Sequence, residues 1–151
     1  MDYTWRELYQ KKDFCASITL MRFLGIDYGA KRIGLAISDE RQTLAFPKEI
    51  LPNDKNIFEK IAEILREENI TEVVIGESLD FSGKPNKISG ATENFITEFE
   101  EKFKLPVHKQ KEFLTTVEAR RYQENNNSVD ASAAALILQR YLDKKNKKDT
   151  I

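Results

Sequence analysis

Apolar and polar positions alternate in blocks from residue 21 onward. Phe23-Leu24-Gly25-Ile26 and Ile33-Gly34-Leu35-Ala36-Ile37 flank a polar turn, which predicts paired strands over 22–27 and 32–38. Gly29 and Gly34 supply the backbone freedom and close approach that such a hairpin needs. A third strand is predicted from Thr43 to Leu51, and Pro47, lacking a backbone donor, places it at a sheet edge. Asp54 then caps a helix reaching about Asn69. Its apolar stripe is Ile57, Ile61, Ile64 and Leu65, with Glu59, Lys60, Glu63 and Arg66 outside. Thr71 to Gly76 is a β-branched run of the kind buried in a parallel sheet.

Glu77 follows that run, and Ser78 to Gly90 reads as a long loop. Loops of this length are often functional. A helix over about 88–103 carries Ile88, Ala91, Phe95, Phe99 and Phe103 on one face, and a strand from Leu105 to about Lys111 ends beside Glu112. Thr115-x-x-Glu118 is a capping box opening a short helix through Tyr122. Ser128 caps a final helix with Ala133, Leu136, Ile137 and Tyr141 as its buried stripe. Ala131, Ala133, Ala134 and Ala135 keep that face thin enough to lie close against a sheet. The order βββαβαβαα predicts one α/β domain over 21–143. Residues 1–20 have no sustained period and are expected to form an extension outside the core, and 144–151 a basic tail.

Composition adds exclusions. With 151 residues, 40% hydrophobic and 32% charged, the chain is long enough for a core and too apolar for disorder. No run is long enough to span a membrane. Cys15 is the single cysteine, which rules out an internal disulfide and a thiolate zinc site and suggests a cytoplasmic protein. The net charge of −1 does not advertise a polyanion partner, although basic pairs occur locally at Lys31-Arg32, Lys84/Lys87, Lys109/Lys111 and Arg120-Arg121.

The candidate chemistry lies in carboxylates. Asp27, Glu77 and Glu112 each close an apolar strand, and Asp130 opens the thin-faced helix. Taken singly, each has an ordinary role: Asp27 as a turn cap, Glu77 paired with Lys84 or Lys87, Glu112 as an exposed strand end, Asp130 complementing the helix dipole. Taken together they converge, because carboxyl ends of parallel strands share one edge of an α/β sheet, where ligands bind. Carboxylates gathered there repel one another unless a cation neutralises them. An all-oxygen donor set suits Mg²⁺ or Mn²⁺.

The segments Gly25-Ile26-Asp27-Tyr28-Gly29-x-Lys31-Arg32-Ile33-Gly34-Leu35-Ala36, Val74-Ile75-Gly76 with Leu79 and Gly83, Glu112-x-Leu114-Thr115-Thr116-Val117-Glu118-Ala119, and Val129-Asp130-Ala131-x-Ala133-Ala134 with Leu136 to Gln139 resemble the YqgF/RuvX family. Its members are Holliday-junction-resolvase-like nucleases implicated in pre-16S rRNA processing. The resemblance runs from Met21 to about Leu142. It implies a ribonuclease-H-like fold: a mixed five-stranded sheet, the first three strands antiparallel, with helices on both faces. It also implies an acidic site at Asp27, Glu112 and Asp130. Where the family reads Asp-Glu-Arg, this chain has Lys111-Glu112-Phe113, and where it reads Gly-Leu-Pro, this chain has Gly76-Glu77-Ser78. The latter change puts a carboxylate where the related junction resolvase carries a metal ligand.

The expected function is therefore a divalent-metal-dependent endonuclease on structured nucleic acid, precursor rRNA first and branched DNA second. It would act as a monomer or weak homodimer. Asp27, Glu77, Glu112 and Asp130 are the candidate catalytic and metal-binding residues; Lys31, Arg32, Lys84 and Lys87 are the candidate phosphate contacts. Two other classes fit less of the chain. A non-catalytic RNA-binding assembly factor would keep the fold, and a phosphate-loop ATPase of the actin type would need a second such domain.

Overall fold

The computed structural model describes residues 21–79, 87–113 and 131–149. In chain order these form β1 (Arg22–Tyr28), β2 (Arg32–Ser38), β3 (Ala45–Pro52), α1 (Ile57–Glu67), β4 (Ile70–Leu79), α2 (Lys87–Phe103), β5 (Val107–Phe113) and α3 (Ala131–Asp149). The strands make one five-stranded sheet in the order β3-β2-β1-β4-β5. β2 pairs antiparallel with both β1 and β3, while β4 pairs parallel with β1 and β5. This is the mixed sheet expected from the sequence. Pro47 lies on the edge strand, next to a register shift opposite Leu35 and Ala36.

The pleat sends alternate side chains to two cores. Leu24, Ile26, Ile33, Leu35, Val73 and Ile75 pack with α1 and α2 on one face. Phe23, Ala36 and Val74 pack with Ala134, Ile137, Leu138 and Leu142 of α3 on the other. Helices thus cover both faces. Among the described residues, no helix is long and apolar enough to cross a membrane.

Several local expectations shift. Asp54 does not cap α1: its carboxylate accepts the Asn56 N–H at 2.9 Å and its carbonyl accepts that of Ile57 at 3.2 Å, forming a turn ahead of the helix. β4 runs on to Leu79 and β5 to Phe113, so Glu77 and Glu112 lie within strands instead of after them. On α2 the buried face is Thr92, Phe95, Ile96, Phe99 and Phe103, and Ala91 is exposed. On α3, Leu136 is 58% exposed and the seam is Ala134, Ile137, Leu138 and Leu142, with Tyr141 half-buried. Apolar residues surround the start of this helix, so spacing alone did not single out a face. The basic residues Lys144 to Lys148 form the last turns of α3. The predicted extension over 1–20, the loop residues 80–86 and the helix after Thr115 lie outside the described residues.

Candidate functional site

Asp27 is the penultimate residue of β1, half-buried, with its backbone opposite Gly34 of β2. Strand alternation gives it the face of Phe23 and Gly25, the face covered by α3. Tyr28 takes the other face, with its ring 5.1 Å from that of Phe95.

Two glycines let α3 descend onto this end of the sheet. A Cβ at Gly25 would lie 2.7 Å from Leu138 Cβ and 2.9 Å from the Ala134 carbonyl oxygen. One at Gly76 would lie 2.6 Å from Ile137 Cδ1. The order of contacts fixes the helix direction. The Phe23 ring lies 6.2 Å from that of Tyr141 and 4.6 Å from Lys145 Nζ. Gly25 then meets Leu138 and Ala134. Helix α3 therefore runs opposite to β1, and its first residue, Ala131, lies toward Asp27. The thin alanine face expected from the sequence serves this approach.

Glu77 is placed differently. It shares the parity of Val73 and Ile75 and lines a small cleft under α2 with Thr92, Ile96 and Lys109. In that cleft Lys109 Nζ meets Glu93 Oε1 at 2.5 Å. The Glu93 hydrogen bond raises the Lys109 pKa, with the charge of Glu77 adding to it. Glu77 and Asp27 thus sit on neighbouring strands but on opposite faces of the sheet. In a pleated strand a one-residue offset decides the face, which proximity to a strand end does not reveal. Position 112 pairs through its backbone with Ser78. It has the parity of His108, whose ring stacks on Tyr141 of α3 at 5.1 Å. The Glu112 side chain, Asp130 and Lys84 lie outside the described residues.

Lys31 and Arg32 are exposed on the turn after Asp27. Asn53 holds that turn: its side-chain N–H₂ donates to the Gly29 carbonyl and its backbone N–H to the Lys31 carbonyl, both at 2.9 Å. Lys87 opens α2. Sequence reasoning missed Asn53, Gly25 and Gly76 as positioning residues. A signal existed for the glycines, since glycine is depleted in strand interiors and often marks close backbone approach.

The donor chemistry can be tested against a metal. Among the described residues, no three His, Cys, Asp or Glu side chains converge. On the α3 side, His108 Nε2 is engaged by Glu72 Oε2 at 2.8 Å.

Comparison with known proteins places the chain in a family. The profile of the RuvX family, described as Holliday junction resolvase, matches residues 21–144. A protein of Lawsonia intracellularis named "Putative pre-16S rRNA nuclease" is 35% identical over 133 residues, covering 82% of this chain and 94% of its own. One of the same name from Ruminiclostridium cellulolyticum is 36% identical over 135 residues, covering 82% and 95%. Among solved structures, Thermus thermophilus RuvC in complex with a Holliday junction substrate superposes with a TM-score of 0.51 at 15% identity, covering 83% of this chain and 95% of that one. The last likeness concerns the ribonuclease-H-like fold.

Proposed function

Because this chain belongs to the RuvX family of nucleases, we propose that it hydrolyses phosphodiester bonds in a structured nucleic acid, most specifically near the 5′ end of precursor 16S rRNA, with branched DNA the second substrate. The observation that carries this reading is the seating of α3 on Gly25 and Gly76, which directs the start of the helix toward Asp27 on one face of the sheet.

In this reading Asp27, Glu112 and Asp130 hold Mg²⁺ or Mn²⁺. The residue order supports the set: Asp130 directly precedes α3, and position 112 shares the strand parity of the α3-facing His108. Glu77, facing α2, is assigned no part in it. A divalent cation held by these residues would supply activation of the attacking water and would offset charge on the scissile phosphate. The protein's own contribution is placement. β1 fixes Asp27 by its pairing with Gly34 of β2 and by that of the preceding Ile26 with Ile75 of β4, α3 brings a second carboxylate position to it, and Lys31 and Arg32 meet phosphates flanking the cut. Lys84 and Lys87, the latter the first residue of α2, extend the phosphate contacts.

The test is single-turnover cleavage of precursor 16S rRNA and of a four-way DNA junction in Mg²⁺, Mn²⁺ or EDTA. We expect metal-dependent cleavage of the rRNA that Asp27→Asn abolishes. Binding without cleavage in any metal would instead make the protein an assembly factor that retains a nuclease fold. Cleavage by Asp27→Asn at the wild-type rate would remove Asp27 from the site.

A further inference from the structure

A second concavity opens on the opposite face at the same edge. It is a groove of about 430 Å³ between the start of α1 and the exposed side of α2. A cavity of this size suits a small planar ligand. Its floor is aromatic: the Phe58 and Phe95 rings stack at 5.2 Å with 16° between planes, and Tyr28 adds a third ring 5.1 Å from Phe95. Phe95 is buried, but Tyr28 and Phe58 are only half-buried. Lys102 Nζ rests 4.9 Å from the centre of the Phe58 ring, an exposed side chain free to swing aside.

Polar groups surround these rings. Asn53 and Asn94 line the groove, and amides carry both donors and acceptors. Charge is balanced, with Lys55 and Lys102 against Asp54 and Glu98. The Asp54 carboxylate already accepts the Asn56 N–H. Aromatic faces, amide edges and no net charge are a poor match for a run of phosphates and a good match for a nucleobase, which is flat, neutral and polar at its rim.

The turn after β1 links the groove to the candidate site. Tyr28 directly follows Asp27, and Asn53 both lines the groove and anchors the turn carrying Lys31. We propose that this groove binds an unpaired nucleotide of the substrate, so that the protein recognises a single-stranded segment next to the structured region it cuts. The strand would pass from the α3 face over the Gly29–Lys31 turn, with its base against Tyr28 and Phe58 and its phosphate beside Lys102 or Lys55. This inference rests on the nuclease reading above and adds the feature of the substrate that the protein selects.

The experiment compares binding of a fluorescent RNA hairpin with and without a short unpaired extension, by anisotropy in EDTA so that nothing is cut. Base–aromatic stacking contributes about 1–3 kcal/mol per base, so the wild type should prefer the extended hairpin by roughly five- to 150-fold. Phe58→Leu and Asn94→Glu should each bring that ratio close to one. Asn94 is exposed, so its variant serves even if Phe58→Leu melts early. A wild-type ratio near one, or a preference kept by Asn94→Glu and by a folded Phe58→Leu, overturns the groove assignment. If the wild type cleaves precursor rRNA yet shows no preference, the groove alone fails. If it neither binds nor cleaves, the nuclease reading falls with it.

Discussion

Replacing Gly25 by alanine tests the central geometric claim, that α3 sits where it does because β1 has no side chain beneath it. The added Cβ would meet Leu138 Cβ at 2.7 Å and the Ala134 carbonyl oxygen at 2.9 Å. Carbon atoms prefer about 3.5–4.0 Å, so the helix must rise by roughly 1 Å. Neither neighbour is a flexible tip: one is bonded directly to the helix backbone and the other is part of it. A gap of that size forfeits about a quarter to a half of each dispersion contact it opens, here those of Phe23, Ala36 and Val74 with α3. Overpacking of this kind costs about 1–3 kcal/mol, and the rigid neighbours put Gly25→Ala at the upper end. At roughly 3 °C per kcal/mol for a chain of this length, the melting temperature should fall about 6–9 °C. Gly76→Ala is the control. Its nearest neighbour is Ile137 Cδ1, the end of a side chain that can rotate, so the loss should be about 1 kcal/mol. Cleavage by Gly25→Ala, measured below its melting transition, should drop at least tenfold, because misplacement by 1 Å costs up to about a hundredfold. Thermal melts of both variants by circular dichroism decide the matter. A Gly25→Ala melt within 2 °C of wild type, or a Gly76→Ala loss as large, would refute the argument.

Four further outcomes are expected. Glu112→Gln should slow cleavage about a hundredfold or more, roughly 2.7 kcal/mol of transition-state stabilisation. Glu77→Gln should stay within about threefold of wild type, the opposite of what its place near a strand end suggested; a tenfold loss in single-turnover rate would bring Glu77 back into the site. The Glu68 carboxylate accepts hydrogen bonds from Lys48 Nζ at 2.9 Å and Arg22 Nη1 at 2.6 Å, and the Lys48 bond foremost holds its pKa below the ordinary 4.5. A lowered folded pKa contributes stability above the unfolded value and loses it as pH falls through the folded value. Glu68→Gln should therefore cost about 1 kcal/mol near neutrality, a penalty that closes as urea melts are taken below pH 4.5; a penalty constant down to pH 2 would show that charge is not its cause. Finally, a variant lacking residues 1–20 should melt within a few degrees of the full chain, because the family match begins at residue 21. Insoluble protein would make the first twenty residues part of the core.

The sequence by itself determined the order of the described elements, the edge position of β3 and the family, because each depends on local signals. Two-residue alternation, a proline without a donor and contiguous motifs such as Gly25 to Ala36 survive without knowledge of the third dimension. It also marked Asp27, an acid closing an apolar strand. Only the tertiary structure set Glu77 and Asp27 on opposite faces of the sheet. Glu77 and position 112 both read as acids near strand ends, yet strand parity separates them, and parity depends on how far β4 and β5 actually extend. The buried face of α3 was decided in the same way. Its apolar residues leave more than one seam open, and the choice of Ala134, Ile137 and Leu138 over Leu136 is made by the two glycines of β1 and β4 that give the helix somewhere to rest. Those glycines lie 51 residues apart in the chain, at 25 and 76. No window along the sequence contains both, and their joint effect exists only once β1 and β4 are paired.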